Sequence, residues 1–440
     1  MTGLEPRILC VRTLIRAAEA KSYGNLALHT ALAKSNLSPQ DKRICTILFQ
    51  GTVERLLTVD ACIRQYARRD PDQIDLRIRC ILRCGIYELL YLRTQEAAVV
   101  NLWTETAKAL RQFKASGFVN AVLRGFLRAE KKIPIPAEET EALSIQYSVP
   151  LPLIRQLLSD YPKELITDFL SGSIGEPPIY LKRNPLVCDE AAFIASFPDQ
   201  MLTKVPAVPD AYLLTRGGQL TELDAFRKGM FHVQDLASQL CCLALDPQPD
   251  ETILDVCAAP GGKSFTIAQW MQNRGRVLSY DLHENRVKLI RDGAKRLHLS
   301  CISAQVGDAA KPAPDRPMAD RVLCDVPCSG FGVIRRKPEI RYKSLEETAA
   351  LPEIQYRILE ASAASVKPGG VLVYSTCTVA KAENEQVVSA FLSVHPEFSP
   401  EKPWQNFESL AAYGTEMTTL FPRMLGSDGF FLAKLRRAAN

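Results

Sequence analysis

The sequence predicts three modules in one chain: an all-α N-terminal bundle, a small α+β connector and a C-terminal α/β domain with a doubly wound parallel sheet. Three observations carry this reading. Apolar residues recur at helix spacing from Ile8 to about Ala129 with few strand signals. Two prolines interrupt Lys131-Lys132-Ile133-Pro134-Ile135-Pro136. After Gln234-Asp235 short apolar runs alternate with helical patterns. At 440 residues the chain also exceeds one ordinary core, since domains average about 150 residues.

In the bundle, Leu9, Val11, Leu14, Ile15 and Ala18 share one helix face, and Ile81, Leu82, Ile86, Leu89 and Leu90 share another. Ser38 before Pro39 reads as an N-cap with proline at the first helical position, and Asp70-Pro71-Asp72 marks a further boundary. Pro134 and Pro136 remove donors and force extended neighbours, so the bundle ends there and is assigned to residues 1–133. Residues 141–235 form the connector, with helices expected at Pro152 to Leu158 and Pro162 to Leu170 and short strands at Ile179 to Lys182 and Ala211 to Thr215. Residues 236–440 hold strand candidates at Thr252 to Val256, Arg276 to Tyr280, Cys301 to Val306, Arg321 to Cys324, Gly370 to Tyr374 and Gly429 to Leu435.

Composition narrows the function classes. At 47% hydrophobic and 23% charged residues, the chain has the make-up of a soluble globular protein. Residues 1–20 mix Glu5, Arg7, Arg12, Arg16 and Glu19 among apolar positions, unlike a secretory signal, and no apolar run reaches the roughly 18 residues of a membrane span. Thirteen scattered cysteines then suggest reduced thiols in a cytoplasm, and no Cys-x-x-Cys or histidine spacing suggests a metal. Residues 1–140 carry 22 Lys and Arg against 14 Asp and Glu, a surplus of eight, so the other 300 residues are net −3 within the total of +5. A cationic module beside a nearly neutral one suits RNA gripped by one part and processed by another; a solvated helical surface is the competing reading.

Asp255-Val256-Cys257-Ala258-Ala259-Pro260-Gly261-Gly262-Lys263 follows a buried-looking strand and opens a helix at Ser264. Small residues allow close backbone approach, and a helix N-terminus favours a carboxylate or phosphate. Asp281 ends the next strand, where a ribose-binding acid belongs, and Asp308 ends the third. G-x-G-x-x-G is absent and Gly262-Lys263-Ser264 matches only the tail of a P-loop, which ranks NAD and ATP behind another nucleoside cofactor.

Two cysteines end apolar runs in the same domain: Cys328 in Asp325-Val326-Pro327-Cys328, and Cys377 in Ser375-Thr376-Cys377-Thr378. Ligands of open α/β sheets bind at the carboxyl ends of strands, so two soft nucleophiles there can face one substrate. Carbon 5 of a cytosine becomes nucleophilic once a thiolate adds at carbon 6, and a base must later remove the carbon-5 proton. One cysteine can add while the other, or a water it polarises, takes the proton. Asp325 can hydrogen-bond or protonate the ring at N3 or its exocyclic amine. Arg335-Arg336-Lys337, just past this loop, are candidate phosphate contacts with an ordinary solvated surface as the equal alternative, and Cys257 and Cys324 are assigned to packing or backbone contacts.

These segments resemble the RsmB (Fmu, Sun) branch of RNA cytosine-5 methyltransferases. Asp320 to Gly330 is similar to its proline-cysteine signature, Cys257 to Lys263 to its methionine-loop motif, and Tyr374 to Thr378 to its threonine-cysteine motif. Gln234 to Ser238 and Asp428 to Phe431 resemble its flanking segments. Asp41 to Gly51, Gly85 to Leu90 and Gly117 to Arg124 resemble helices of the NusB-like domain that precedes it. Ala319 and Arg423-Met424-Leu425 depart from the pattern.

The resemblance implies a Rossmann-like class I methyltransferase that binds S-adenosylmethionine through Cys257 to Lys263, Asp281, Asp308 and Asp325. It implies Cys377 as nucleophile, Cys328 as the group that assists release, and Lys263 as partner of Asp325. The implied substrate is a cytosine of small-subunit (16S) ribosomal RNA. The implied setting is a cytoplasmic enzyme without metal, expected to be a monomer. A transfer-RNA methyltransferase and a non-enzymatic antitermination factor are the alternatives.

Overall fold

The computed structural model describes residues 3–20, 24–198, 201–215, 220–311 and 316–439. It divides into two compact units. The first comprises Met1–Gly175 with Ile334–Lys343, and the second comprises Glu176–Val333 with Ser344–Asn440.

The first unit is helical: α1 (Leu4–Ala20), α2 (Gly24–Ala33), α3 (Pro39–Glu54), α4 (Leu56–Ala67), α5 (Leu76–Tyr91), α6 (Glu96–Ala109), α7 (Phe113–Arg128), α8 (Glu139–Tyr147), α9 (Leu151–Asp160) and α10 (Lys163–Gly172). Ser38 caps α3 as expected, its hydroxyl accepting from the Asp41 amide at 3.1 Å with Pro39 following. Phe49, Ile81, Val99, Trp103 and Phe126 fill the core. Within it Glu88 accepts from Arg7 Nε at 3.0 Å and from Trp103 Nε1 at 2.8 Å, so this buried carboxylate keeps a charged and a neutral donor.

Ile334–Lys343 belongs to this unit although it follows the Cys328 loop in sequence. Arg341 is fully buried and donates to the carbonyls of Glu54, Tyr147, Ser173 and Ile334 at 3.1–3.2 Å. The Tyr342 hydroxyl donates to the Val53 carbonyl at 2.8 Å and accepts from the Leu56 amide at 3.2 Å. Arg335 and Arg336 are half-buried at the start of the segment.

In the second unit, β1 (Ile179–Arg183), β2 (Leu202–Lys204), β3 (Ala211–Leu214) and β4 (Phe231–Val233) form an antiparallel sheet of order β2-β3-β1-β4 around Phe193, Phe197, Tyr212 and Phe231. The larger sheet holds β5 (Thr252–Asp255), β6 (Arg276–Asp281), β7 (Ile302–Val306), β8 (Ala319–Asp325), β9 (Val366–Thr376), β10 (Phe398–Glu401), β11 (Met417–Leu420) and β12 (Phe430–Arg437). Its order is β10-β12-β9-β8-β5-β6-β7, with β11 also paired to β12.

Strands β5 to β9 are parallel, as expected, but β10, β11 and β12 pair antiparallel. For β11 and β12 the physical reason is connection length. A parallel neighbour needs a long crossover, whereas β11 returns to β12 through the short segment 421–429, which suffices only for antiparallel pairing. Alternate strand residues feed two cores: Ile253, Leu323, Val371 and Leu432 enter one, and Leu254, Val322, Leu372 and Phe431 enter the other. Burial on both faces explains why these strands read as unbroken apolar runs. Among the described residues no helix is long and apolar enough to cross a membrane.

Candidate active site

Strand order turns at β5, whose parallel neighbours are β6 on one side and β8 on the other. The carboxyl ends of β5, β6, β8 and β9 therefore frame a crevice at the switch point. Asp255, Asp281, Asp325 and Thr376 are the last residues of those strands, and pairing of Asp325 with Ser375 aligns β8 and β9.

A cleft of about 320 Å³ opens there, with Cys257, Asp281 and Asp308 among its lining residues. Asp281 is 5% exposed, lies 3.3 Å from the Arg286 guanidinium and accepts from the His283 amide at 3.2 Å. Asp308 accepts from the Ala310 amide at 3.0 Å. Leu282, Ala309, Ile354 and Ile358 supply apolar wall. Two acids beside an apolar slot suit a ribose and a flat base.

The loop before the helix Gly262–Trp270 contributes chiefly shape. The Ala258 amide donates to the Tyr280 carbonyl at 2.7 Å and the Gly261 amide to the Ala258 carbonyl at 2.8 Å, so neither is spare for a ligand. Gly261 stands at φ +110°, and a Cβ there would meet the Phe265 ring at 2.4 Å. Ala258, Ala259, Pro260, Gly261 and Gly262 are thus close to the cleft in sequence, but Cys257 is the loop residue that lines it.

The two cysteines converge. Cys328 Sγ lies 3.1 Å from Cys377 Sγ, and both side chains are partly exposed. The hydrogen bond to Cys377, followed by burial, pushes the Cys328 thiol well above its ordinary range. Beside them Lys263 Nζ donates to Asp325 Oδ2 at 2.7 Å and the Ser375 hydroxyl to Asp325 Oδ1 at 2.9 Å. Burial alone would discharge Lys263; the Asp325 carboxylate outweighs it and holds the ammonium charged. Asp255 differs: burial lifts its carboxyl to about 7, with the Ser264 hydroxyl donating to it at 2.6 Å.

Polar contacts absent from the sequence reading hold the sulfurs. Glu383 accepts from the Ser329 amide at 2.8 Å and from Gln355 Nε2 at 2.9 Å, while Gln355 also donates to the Pro327 carbonyl at 2.9 Å. Asn384 accepts from Thr376 Oγ1 at 2.6 Å and donates to the Thr378 carbonyl at 3.1 Å, which fixes the turn that carries Cys377. The Gly332 amide donates to the Cys377 carbonyl at 3.0 Å, so the two cysteine loops are also tied through backbone. A signal for Gln355 existed, as a polar residue on an otherwise apolar helix face; Glu383 and Asn384 had none. Among the described residues no group of three or more His, Cys, Asp or Glu could hold a metal ion.

Residues 242–436 match the family model described as 16S rRNA methyltransferase RsmB/F, and residues 4–128 match that of the NusB family. The chain is 34% identical to the probable ribosomal RNA small subunit methyltransferase B of Bacillus subtilis, covering 98% of each. It is 36% identical to the protein of the same description from Synechocystis, covering 95% of this chain and 96% of that one. The crystal structure of the protein PH0851 superposes with a TM-score of 0.79 at 25% identity, over 98% of this chain and 99% of the other. With crevice, paired cysteines and near full-length likeness in agreement, the chain belongs to the 16S rRNA methyltransferase RsmB/F family and carries a NusB-family domain at its N-terminal end.

Proposed function

We propose that the chain methylates carbon 5 of one cytosine in small-subunit ribosomal RNA, through a covalent bond between Cys377 and carbon 6 of that base. The observation that carries this reading is the 3.1 Å approach of Cys328 and Cys377 beside the Lys263–Asp325 pair. The RNA class is taken from relatives named as ribosomal RNA small subunit methyltransferases.

The lining of the cleft would suit S-adenosylmethionine: Asp281 and Asp308 would take its polar groups, Leu282, Ile354 and Ile358 its apolar face, and Cys257 marks the loop that leads to Lys263 and Asp325. When bound, that cofactor supplies an electrophilic methyl group. Cys377 attacks as a thiolate, while its hydrogen bond and burial keep the Cys328 thiol protonated. The new carbon–sulfur bond sends ring electrons to carbon 5, which takes up the methyl group. Asp325, held by Lys263 and Ser375, accepts from the exocyclic amine and orients the ring.

Once Cys377 is bound in the adduct, Cys328 loses the neighbour that raised its pKa. It gives up its own proton to solvent and, as thiolate or through a water it polarises, takes the carbon-5 proton; the electrons of that C–H bond restore the 5,6 double bond, the carbon–sulfur bond breaks, and Cys377 departs as thiolate. The base must leave any stack to reach these sulfurs, so an unpaired or extruded cytosine is the substrate.

The test is transfer of label from methyl-labelled S-adenosylmethionine to small-subunit rRNA from a strain lacking this gene, with transfer RNA in parallel. Label recovered as 5-methylcytidine in rRNA supports the reading. Label in another nucleoside, in transfer RNA alone or nowhere rejects it.

A further inference from the structure

Helix α7 carries Lys114, Arg124 and Arg128 and no carboxylate along its 16 residues. Its buried face, Val119, Val122, Leu123 and Phe126, packs into the helical core. The opposite face is an exposed stripe, Lys114, Gly117, Ala121, Arg124 and Arg128, at the alternating three- and four-residue spacing that aligns side chains along one side of a helix. Arg111 is exposed just before the helix, and Phe113, its first residue, is 66% exposed.

A helix face that is merely solvated usually mixes signs and pairs them, as Lys108 does with Glu105 one helix earlier. The stripe does not. Among the described residues the Arg124 guanidinium donates only to the neutral amide of Asn120, at 3.0 Å, and no carboxylate stands on the helix to neutralise any of its cations. The middle of the stripe is nearly flat: Gly117 has no side chain, Ala121 one methyl, and a Cβ built on Gly117 meets nothing within 4 Å.

From these features we infer that the exposed face of α7 is a docking surface for the sugar-phosphate backbone of the RNA substrate, an inference that rests on the proposed function. Lys114 at one end and Arg124 and Arg128 at the other pair with phosphates, spaced over roughly 21 Å at 1.5 Å per residue. Gly117 and Ala121 let the backbone lie close against the helix, and Phe113 offers a ring face to an unpaired base. Charge complementarity selects a polyanion, and the exposed ring beside the cations favours a nucleic acid.

The test compares the full chain with Lys114→Ala/Arg124→Ala/Arg128→Ala in filter binding of deproteinised small-subunit rRNA across a potassium chloride series. Three lost phosphate contacts should weaken binding at least about tenfold near 0.1 M salt and flatten the slope of log affinity against log salt by roughly two to three. In methyl transfer, KM for RNA should rise with kcat unchanged, and calorimetric binding of S-adenosylmethionine should be unaffected. Gly117→Glu guards against misfolding, since its Cβ enters open space and glutamate is the better helix former. It should keep the wild-type melting temperature and still weaken RNA binding. A triple variant with wild-type affinity and salt slope overturns the inference, whether the face then serves a protein or nothing. Failure of the wild type to transfer methyl groups overturns the proposed function instead, because the surface is judged on binding.

Discussion

The sulfur atoms of Cys328 and Cys377 lie 3.1 Å apart although 49 residues separate them in sequence. One lies past the end of β8 and the other directly past β9, and the parallel pairing of Asp325 with Ser375 brings the two loops side by side. A hydrogen bond between the two sulfurs is the chemical result.

Removing each sulfur should therefore give opposite defects. Cys377→Ala is expected to abolish both methyl transfer and any covalent protein–RNA species. Cys328→Ala is expected to trap the adduct, seen as a slowly migrating band on denaturing gels that disappears on RNase treatment. The reverse pattern would exchange the two roles.

Lys263→Met keeps the length of the side chain but leaves Asp325 with Ser375 alone. Loss of a positioned acid–base partner should lower kcat by roughly 10²-fold, with a much smaller change in KM for RNA. Steady-state kinetics would check the split; a change confined to KM would reduce Lys263 to a binding role.

Gly332 stands where the Cys328 loop crosses Gly429, and a Cβ there would meet the Gly429 carbonyl oxygen at 2.0 Å. Backbone cannot retreat as a flexible side chain can. Gly332→Ala should push the loop off Cys377, cutting activity at least about tenfold and destabilising the fold by roughly 1–3 kcal/mol. Thermal melts and single-turnover rates would report the two effects.

Asp255 has a folded pKa of about 7 against an ordinary 3.8. Below pH 4 it is protonated folded or unfolded. Between about 4 and 7 the folded chain keeps a proton that the unfolded chain releases, so stability falls as pH rises, and above 7 the loss is complete. Denaturant titrations should show Asp255→Asn losing this part of the slope, by an amount of order a few kcal/mol at about 1.4 kcal/mol per pKa unit. Parallel pH profiles for the two proteins would contradict the assignment.

Much of this was legible because local chemistry and tertiary placement agree. Ser38 with Pro39 starts a helix on its own, and the runs at Thr252 and Arg276 are strands because both faces are buried. Two cysteines at strand ends were legible as neighbours of one another, since the carboxyl edge of a parallel sheet collects such residues. The antiparallel edge formed by β10, β11 and β12 was hidden, as strand direction leaves no mark on an apolar run. Glu383 and Asn384 were hidden too, because each acts through hydrogen bonds to residues outside its own element or to backbone. Ile354 and Ile358 read as ordinary core on a helix, and only its placement against the Asp281 and Asp308 loops turns them into cleft wall.

The position of Arg341 sets the order in which the polypeptide can mature. Its four carbonyl acceptors lie at Glu54, Tyr147, Ser173 and Ile334, so the helices made first wait for a plug encoded more than 150 residues later. As the nascent chain leaves the ribosome, these carbonyls cannot meet Arg341 until residue 341 has emerged, by which time β5 to β8 have already been made. A gene fragment ending at Gly175 would yield a bundle with an open seam at Val53, Leu56 and Tyr147.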